Sequence, residues 1–445
     1  MLKTGFAREL ITPRLGIPLC GYFNPRPGSG VYDDLFVKAL IWDDGVTRAG
    51  VISYDLCAIT TEMIQEVRDE LQKQSVDCGE NLLFCATHTH TGPYVNDGLN
   101  HQYDRPYMAR VVSQTVAAVC RALDNLALSE MWLGKTENNP FAFNRRYFMT
   151  NGKVATNPGK LNPNTVKPEG MVDKEIGVIK IVSNGMITAL LVNIVNHNDT
   201  IGGNLVSADW PNRLERHIQD KLGYDVPVIV LVGASGNINH FDVDSLKNQT
   251  SYQESCRIGK GYAEIILDIL PGLKLWRGTR FKLKKTIFHL HGRTITDEEI
   301  HRAEEISSHP IVSGLDSLLT SEDLIKGTDS IRRCFAEQLL AYHDREAGKA
   351  RPFELFLFDF GPELSVISIP GEPFTEIGLA AKKHIGRKLN IVIGHAQGCP
   401  GYLPLEDCYE RGGYEILPVL GGGAAPGTAE KLLEHIKILA TKESL

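Results

Sequence analysis

The stretch that most constrains this chain is residues 81–93, which read NLLFCATHTHTGP. Its apolar run, residues 82–85, predicts a buried strand, and His88 and His90 follow directly after it. Alternate residues of an extended backbone point the same way, so the two imidazoles are expected to face one point. Two histidines at a strand end indicate a metal or proton-transfer site, or else a pair that lies on the surface or supports a neighbouring site.

Length, composition and charge exclude several classes of protein. The 445 residues allow one large domain or two to three smaller ones, and 42% hydrophobic with 23% charged residues is ordinary for a globular protein. A formal net charge of −7 without a basic stripe or polybasic patch argues against a nucleic-acid or anionic-membrane partner. The N-terminus has no apolar export segment, and no run approaches the roughly 20 apolar residues of a membrane span. These features predict a cytoplasmic protein.

The cysteines agree with that compartment. There are nine of them, an odd number, scattered along the chain without a C-x-x-C pair. This pattern is typical of free, mostly buried thiols in a reducing environment.

Apolar strands alternate with amphipathic helices, which predicts an α/β fold of mixed β-sheets layered with helices. Two polar helices, 297–308 and 321–346, are expected to form a peripheral insert at about 296–350, because an apolar strand resumes at 353. The whole chain, 1–445, is therefore predicted to be one domain. The predicted strands are 4–11, 35–43, 49–55, 82–85, 132–135, 175–182, 187–195, 226–232, 279–290 (an edge strand), 353–360, 364–369 and 389–394. The other predicted helices are 60–74, 107–127, 210–222, 254–270, 375–385 and 428–441.

Further candidate ligands lie where other apolar strands end. His197 follows strand 187–195, Glu372 follows strand 364–369, and Tyr402 lies in the coil after strand 389–394. Each has an ordinary alternative: a glutamate after Pro-Gly commonly begins a helix, and a loop tyrosine commonly packs against its neighbours. Their shared position at strand exits favours a single site, since histidines with a carboxylate suit Zn²⁺ and leave room for water.

Two further features of the sequence each allow two roles, and two common motifs are excluded. Arg145 and Arg146 lie in the polar loop 138–147, where one could hold an anionic group or an oxyanion, or both could be solvated. Asp55, at a strand end, is either a carboxylate that supports the site or a turn or N-cap residue. The loop Gly421-Gly422-Gly423 lacks the lysine and Ser/Thr of a P-loop, and no G-x-S-x-G elbow is present.

These segments resemble the catalytic domain of the neutral/alkaline (non-lysosomal) ceramidase family over most of the chain. The most specific piece, residues 87–93, is close to the family's THTHSGP. The other matching pieces are Gly5-Phe6-Ala7-Arg8, Ile11-Thr12-Pro13, Gly21-Tyr22, Asn144-Arg145, Asn196-His197, Ser207-Ala208-Asp209, Gly236-Asn237-Ile238-Asn239, Pro370-Gly371-Glu372 and the region of Tyr402.

The resemblance implies a site and a reaction. By resemblance, one zinc ion per chain is held by His88, His197, Glu372 and Tyr402. His90 and Arg145 contact the substrate or the developing oxyanion. A zinc-activated water then hydrolyses an amide.

Three departures from the family pattern bear on the substrate. Asn239 stands where the family's G-D-V-S-P motif has its serine, and Asn239 and Asp209 are expected to lie near the substrate. The sequence ends at Leu445 without the family's C-terminal immunoglobulin-like domain, and no export signal is seen although ceramide is a membrane lipid. A substrate other than ceramide is therefore expected.

The sequence thus favours a zinc-dependent hydrolase that cleaves an amide of a small, soluble substrate. One alternative is an esterase or lactonase that uses the same zinc site. Another is a metal-stabilised binding protein without turnover. The expected partner is a small molecule and not a nucleic acid, and a homo-oligomer is compatible with the sequence.

Overall fold

The computed structural model describes residues 1–308, 319 and 321–441, and within them three large β-sheets organise the fold. In the first sheet the edge strand Leu82–Ala86 runs parallel to its neighbour, and the remaining pairs are antiparallel. Helices Thr61–Lys73 and Arg105–Asp124 cover its outer face with apolar side chains. In spatial order its strands are Leu82–Ala86, Arg48–Tyr54, Phe36–Asp43, Lys3–Leu10 and Ala127–Leu128.

The second sheet repeats this arrangement of a strand layer with helices outside. Its edge strand Val228–Val232 is parallel to Met186–Ile194, and the other pairs are antiparallel. Helices Trp210–Leu222 and Tyr252–Ile269 pack on its outer face. In spatial order its strands are Val228–Val232, Met186–Ile194, Ile176–Ser183, Glu130–Thr136 and Lys274–Leu275.

The third sheet has helices Thr375–Ile385 and Thr428–Thr441 on its outer face. Its strands in order are Lys282–His291, Ala350–Asp359, Leu364–Ser368 and Leu389–Ile393. The first strand is at the sheet edge, as its polar alternation predicted. The polar helices Asp297–Ser308, Ser321–Lys326 and Asp329–Arg345 lie in the connection between two antiparallel neighbours, Lys282–His291 and Ala350–Asp359.

The inner faces of the three sheets share one apolar core. Trp42 of the first sheet lies with its ring centre 5.7 Å from Phe358 of the third, and Leu231 comes from the second. Strands buried on both faces read as nearly continuous apolar runs, which is why residues 228–232 and 389–393 have no polar alternation. The layered α/β fold predicted from the sequence is confirmed, and the shared core holds the ends of all three sheets in fixed relative positions.

Local structure differs from expectation at two places. The helix predicted at 321–346 is two helices, because Gly327 adopts a left-handed φ of 60° that ends the first of them. The loop predicted at 138–147 contains the short strand Phe143–Asn144, which pairs with the distant Ile238–Asn239, and the start of Arg146–Met149, which pairs with the nearby Val154–Thr156. The short strands outside the three large sheets are Pro18–Leu19, Arg26–Pro27, Gly30–Val31, Phe143–Asn144, Arg146–Met149, Val154–Thr156, Thr165–Pro168, Leu205–Val206, Ile238–Asn239, Glu372–Pro373 and Tyr402–Leu403, and the short helices are Gly79–Asn81, Leu270–Gly272, Cys408–Arg411 and Tyr414–Ile416.

The cysteines and the helices bear on two other expectations. All nine cysteines are free thiols, as predicted, and none of them is exposed: Cys57, Cys78, Cys85 and Cys408 are buried, and the other five are half-buried. None of the described helices is both long and apolar enough to cross a membrane.

Candidate metal centre

Each of the three sheets sends one candidate ligand to a common point from the carboxyl end of a strand. His88 follows Leu82–Ala86, His197 follows Met186–Ile194, and Glu372 follows Leu364–Ser368. The Nε2 atoms of the two histidines are 3.2 Å apart, and Oε2 of Glu372 is 3.5 Å from each of them. All three side chains are buried, and their spacing would allow one ion to contact all three.

Backbone carbonyls fix which nitrogen of each imidazole faces this point. Nδ1 of His88 lies 2.7 Å from the carbonyl oxygen of Cys57, and Nδ1 of His197 lies 3.1 Å from that of Ser235. A carbonyl oxygen can only accept, so each Nδ1 carries the hydrogen and each neutral ring directs its Nε2 lone pair inward. This is the tautomer that a metal-binding histidine needs.

The donor set fits a divalent cation. Two imidazole lone pairs and a carboxylate oxygen face one another, and none of the three atoms has a hydrogen to share. Oε2 of Glu372 is buried and has no hydrogen bond among the described residues. A cation between the three atoms would stabilise this arrangement, so His88, His197 and Glu372 suit a metal better than they suit one another.

The expected convergence of His88 and His90 occurs, but the expected reason for it is wrong. His88 is not extended; its φ is 66°, in the left-handed region that a residue with a side chain seldom adopts. Its N–H donates to the carbonyl of Leu56, and the N–H of His90 donates to that of Asn198. This turn brings Nε2 of His90 to 3.2 Å from Nε2 of His88. Backbone strain of this kind is common at functional sites.

Burial keeps His88 and His90 neutral. It is the main cause that lowers the pKa of His88 to about 4 and that of His90 to about 3. For Glu372 burial acts in the opposite sense, but its interactions with His88 and His197 bring its pKa below the ordinary value. At neutral pH, His88 and His90 are therefore neutral and Glu372 is ionised.

Arg145 lies against this cluster and is not solvated. Arg145 is 4% exposed and Arg146 is 0% exposed, so the alternative of a solvated pair is wrong. Nη2 of Arg145 donates to the carbonyl of Gly236 over 2.6 Å, Nε lies 3.0 Å from Oε1 of Glu415, and Nη1 lies 3.5 Å from Nε2 of His197. A buried cation is thus held beside the candidate ligands.

Tyr402 lies next to Glu372 through backbone pairing. The short strands Glu372–Pro373 and Tyr402–Leu403 are parallel, with Glu372 directly opposite Tyr402. The phenol of Tyr402 is hydrogen-bonded to that of Tyr414, and the guanidinium carbon of Arg145 lies 5.1 Å from the Tyr402 ring centre. Burial is the main cause that raises the pKa of Tyr402 well above its ordinary value.

Asp209 and Asn239 lie in segments that support the cluster. Asp209 caps the helix Trp210–Leu222 and accepts a hydrogen bond of 2.8 Å from the backbone N–H of Thr200. Asn239 donates to the side chain of Asn157 and accepts from a backbone N–H. Among the described residues, no hydrogen bond joins either side chain to a histidine of the cluster or to Glu372, and their contact with substrate stays a prediction.

Asp55 has a supporting position. Its Oδ2 accepts from the N–H of Phe36, and its Oδ1 lies 3.4 Å from the hydroxyl of Thr87, the residue before His88. Of the two interpretations left open by the sequence, the geometry therefore favours a carboxylate that positions the histidine loop.

His395 was not singled out from the sequence, although the same signal marks it. It follows the strand Leu389–Ile393, as His88 and His197 follow theirs. Its ring stacks on that of His88 with centres 3.9 Å apart, and both of its ring nitrogens are buried without a hydrogen bond among the described residues. The rule that strand ends carry the site would have found it.

Gly236 shows how closely the segments around the cluster approach. A Cβ at this position would lie 2.3 Å from the carbonyl oxygen of Glu372. We expect Gly236→Ala to displace the Glu372 backbone and to weaken metal binding by about tenfold, the usual effect of disturbing the support of a ligand. The measurement is a metal titration of the purified variant. Gly272→Ala is the matched control, because a Cβ there meets nothing within 4 Å; equal affinities for the two variants would contradict the prediction.

Comparison with known proteins identifies the fold. The chain matches no protein-family model. Among solved structures it is similar to neutral ceramidase from Pseudomonas aeruginosa, with 15% identity and a TM-score of 0.73 over 99% of this chain and 74% of that one. A structure described as ceramidase complexed with C2 matches with 14% identity and a TM-score of 0.71, over the same shares. The resemblance read from the sequence is confirmed at the level of the fold: the chain has a neutral-ceramidase-like α/β fold.

Proposed function

We propose that this protein is a zinc-dependent hydrolase that cleaves the C–N bond of a small amide. The observation that carries the proposal is the convergence of His88, His197 and Glu372, whose inward atoms have no proton to share. The fold, which is like that of neutral ceramidases, agrees with amide hydrolysis.

The proposed ligands are His88, His197, Glu372 and Tyr402. A zinc ion bound by them would lower the pKa of a water molecule and polarise the scissile carbonyl. Tyr402 is proposed because the strand pairing places it directly opposite Glu372.

His90 and Arg145 would act on the substrate. His90 is neutral and lies against His88, so an N–H of its imidazole can donate a hydrogen bond to the substrate or to the developing oxyanion. Arg145 stays protonated beside Glu415 and can stabilise negative charge that develops on the carbonyl oxygen. Because Arg145 is already oriented by the carbonyl of Gly236, it need not reorganise when that charge appears.

The identity of residue 239 is an argument for a substrate other than ceramide. It stands where the resembling family has a serine, and its amide is held by Asn157 and by the backbone of Phe241. The side chain therefore supplies no hydroxyl, and among the described residues no hydrogen bond joins it to the cluster. An ester leaving group needs less protonation than an amine, so this substitution also favours esterase or lactonase activity as the second candidate function.

A matched substrate panel tests the proposal. Purified protein would be assayed for zinc content and with anilides and phenyl esters of the same acyl groups, from two to sixteen carbons, before and after chelation. We expect about one zinc per chain, hydrolysis that chelation removes and zinc restores, and a preference for short acyl groups. Hydrolytic activity that persists after complete chelation of the metal would contradict the proposal. Bound zinc without turnover of any substrate would indicate a binding protein instead.

A further inference from the structure

A second pair of charged residues, Asp199 and His240, lies beside the candidate metal centre. Nδ1 of His240 is 3.0 Å from Oδ1 of Asp199, and Nε2 is 2.6 Å from the carbonyl oxygen of Gln249. Both partners of the ring are acceptors, so the contacts stabilise an imidazolium, which in turn stabilises an ionised Asp199. His240 is 2% exposed, and this burial fixes the pair in place.

The carboxylate of Asp199 has capacity left to accept hydrogen bonds. Its contact with His240 is close but poorly directed, since Oδ1 has no hydrogen bond of good geometry. No other hydrogen bond to Asp199 is found among the described residues, and 18% of the side chain is exposed. A partly buried carboxylate with unfilled lone pairs is expected to bind a donor from outside the chain.

Asp199 is positioned where such a donor would belong to a substrate. It lies two residues after His197, and the carbonyl of the intervening Asn198 accepts from the N–H of His90. Asp199 and His90 are therefore on adjacent segments, and both are partly exposed. Tyr22 lies beside them, with its ring centre 5.9 Å from that of His90.

Among the described residues, the one ion pair of Asp199 is with His240, and none is with an arginine. Arg26 stacks on Tyr22 with its guanidinium carbon 4.1 Å from the ring centre, and it donates to the backbone carbonyls of Cys20 and His90 over 2.6 and 2.5 Å. The guanidinium of Arg26 is thus hydrogen-bonded to backbone carbonyls, and no ion pair joins it to Asp199 among the described residues.

We propose that Asp199, held by His240, is a specificity-determining residue that binds a protonated amine of the substrate next to the scissile bond. This inference rests on the proposed hydrolase function and narrows its substrate class to small amides or esters that carry a cationic amine. A carboxylate on the same part of the substrate would be repelled, and an alkyl group would leave Asp199 desolvated without a partner.

Paired hydroxamates test this inference, because they chelate zinc through one shared group. The probes are ω-amino hydroxamates of two to four carbons and alkyl hydroxamates of matched length, which differ only in ammonium against methyl. In the zinc-loaded protein we expect the best ammonium probe to bind at least about tenfold more tightly than its alkyl partner, the effect of one charge-assisted hydrogen bond. In Asp199→Asn the preference should fall below about threefold, with alkyl affinity unchanged.

The controls separate this inference from the proposed function. Asp244→Asn removes an exposed carboxylate and should keep the preference. If alkyl hydroxamates bind and ammonium probes bind no better to wild type, the inference is wrong while the metal centre stands. If alkyl hydroxamates do not bind, the metal centre fails and the inference fails with it. The wild-type comparison decides the matter even if Asp199→Asn does not fold.

Discussion

Replacing His88 by alanine is expected to abolish metal binding, whereas replacing His90 by alanine should leave the metal bound and remove most activity. Nε2 of His88 lies 3.2 Å from that of His197 and 3.5 Å from Glu372, so its loss opens the ligand set. His90 contacts His88 but has no carboxylate partner in the cluster. We expect zinc per chain to fall from about one to near zero in the first variant only, and turnover to fall by roughly 10²–10³-fold in the second, the usual loss when one donor to the developing oxyanion is removed.

Metal analysis and hydrolysis assays on both variants check this division of roles. His301→Ala is the matched control, because His301 is exposed on the helix Asp297–Ser308 and should change neither quantity. Cys57, His88 and His90 also come close enough to share an ion. If His90→Ala loses its metal as His88→Ala does, His90 is a ligand, and a matching loss in Cys57→Ser would place the ion in that second group.

Replacing Arg146 by methionine is expected to destabilise the protein by about 3–5 kcal/mol, the range measured when one partner of a buried ion pair is removed. Its Nη1 donates to Glu415 over 2.6 Å, Nη2 donates to the carbonyl of Gly412 over 2.7 Å, and its remaining contacts are with Glu169. Methionine has a similar length but takes one cation from two buried carboxylates, which leaves Glu415 with Arg145 alone and Glu169 with Arg411 alone. Urea unfolding at pH 7 measures the effect.

An exposed arginine provides the comparison. Arg302 pairs with Glu298 on the surface, so Arg302→Met should cost only about 0–1 kcal/mol. Glu415 also contacts Arg145, and a Glu415 that has lost Arg146 should pull the Arg145 guanidinium away from His197. Arg146→Met is therefore also expected to reduce turnover under conditions where it remains folded. A cost below about 1 kcal/mol would show that the two glutamates find other partners or become protonated.

The regular elements could be predicted because their signals are local. The helices at Thr375–Ile385 and Thr428–Thr441 have the expected bounds, and most strands begin and end within a few residues of those expected. The predictions were wrong where the backbone conformation of one residue, or pairing with a distant segment, determines the secondary structure. Gly327 splits a helix whose polar pattern continues on both sides of it, and Phe143–Asn144 becomes a strand only because Ile238–Asn239 lies beside it.

The candidate site, too, could be predicted from the sequence only in part. The residue types were readable, since a histidine or glutamate just after an apolar strand marks a rigid position that opens into a loop. The burial of Arg145 and Arg146 could not be predicted, because their partner Glu415 lies 269 residues from Arg146 in the sequence. The Asp199–His240 pair could not be predicted either, since no sequence pattern links the two residues.

Local order along the chain was thus enough to determine the fold class, the strand ends and the kinds of side chain that occupy them. Only the packing of three sheets around their common core decided which strand ends meet. His88 and His197 are 109 residues apart, and each comes from a different sheet. Their contact depends on burial of Trp42, Leu231, Phe358 and the rest of the shared core, a sum of many long-range contacts that no single segment encodes. The same packing places His88 in a left-handed turn, and so brings about by tertiary contact a convergence that an extended strand would not have produced.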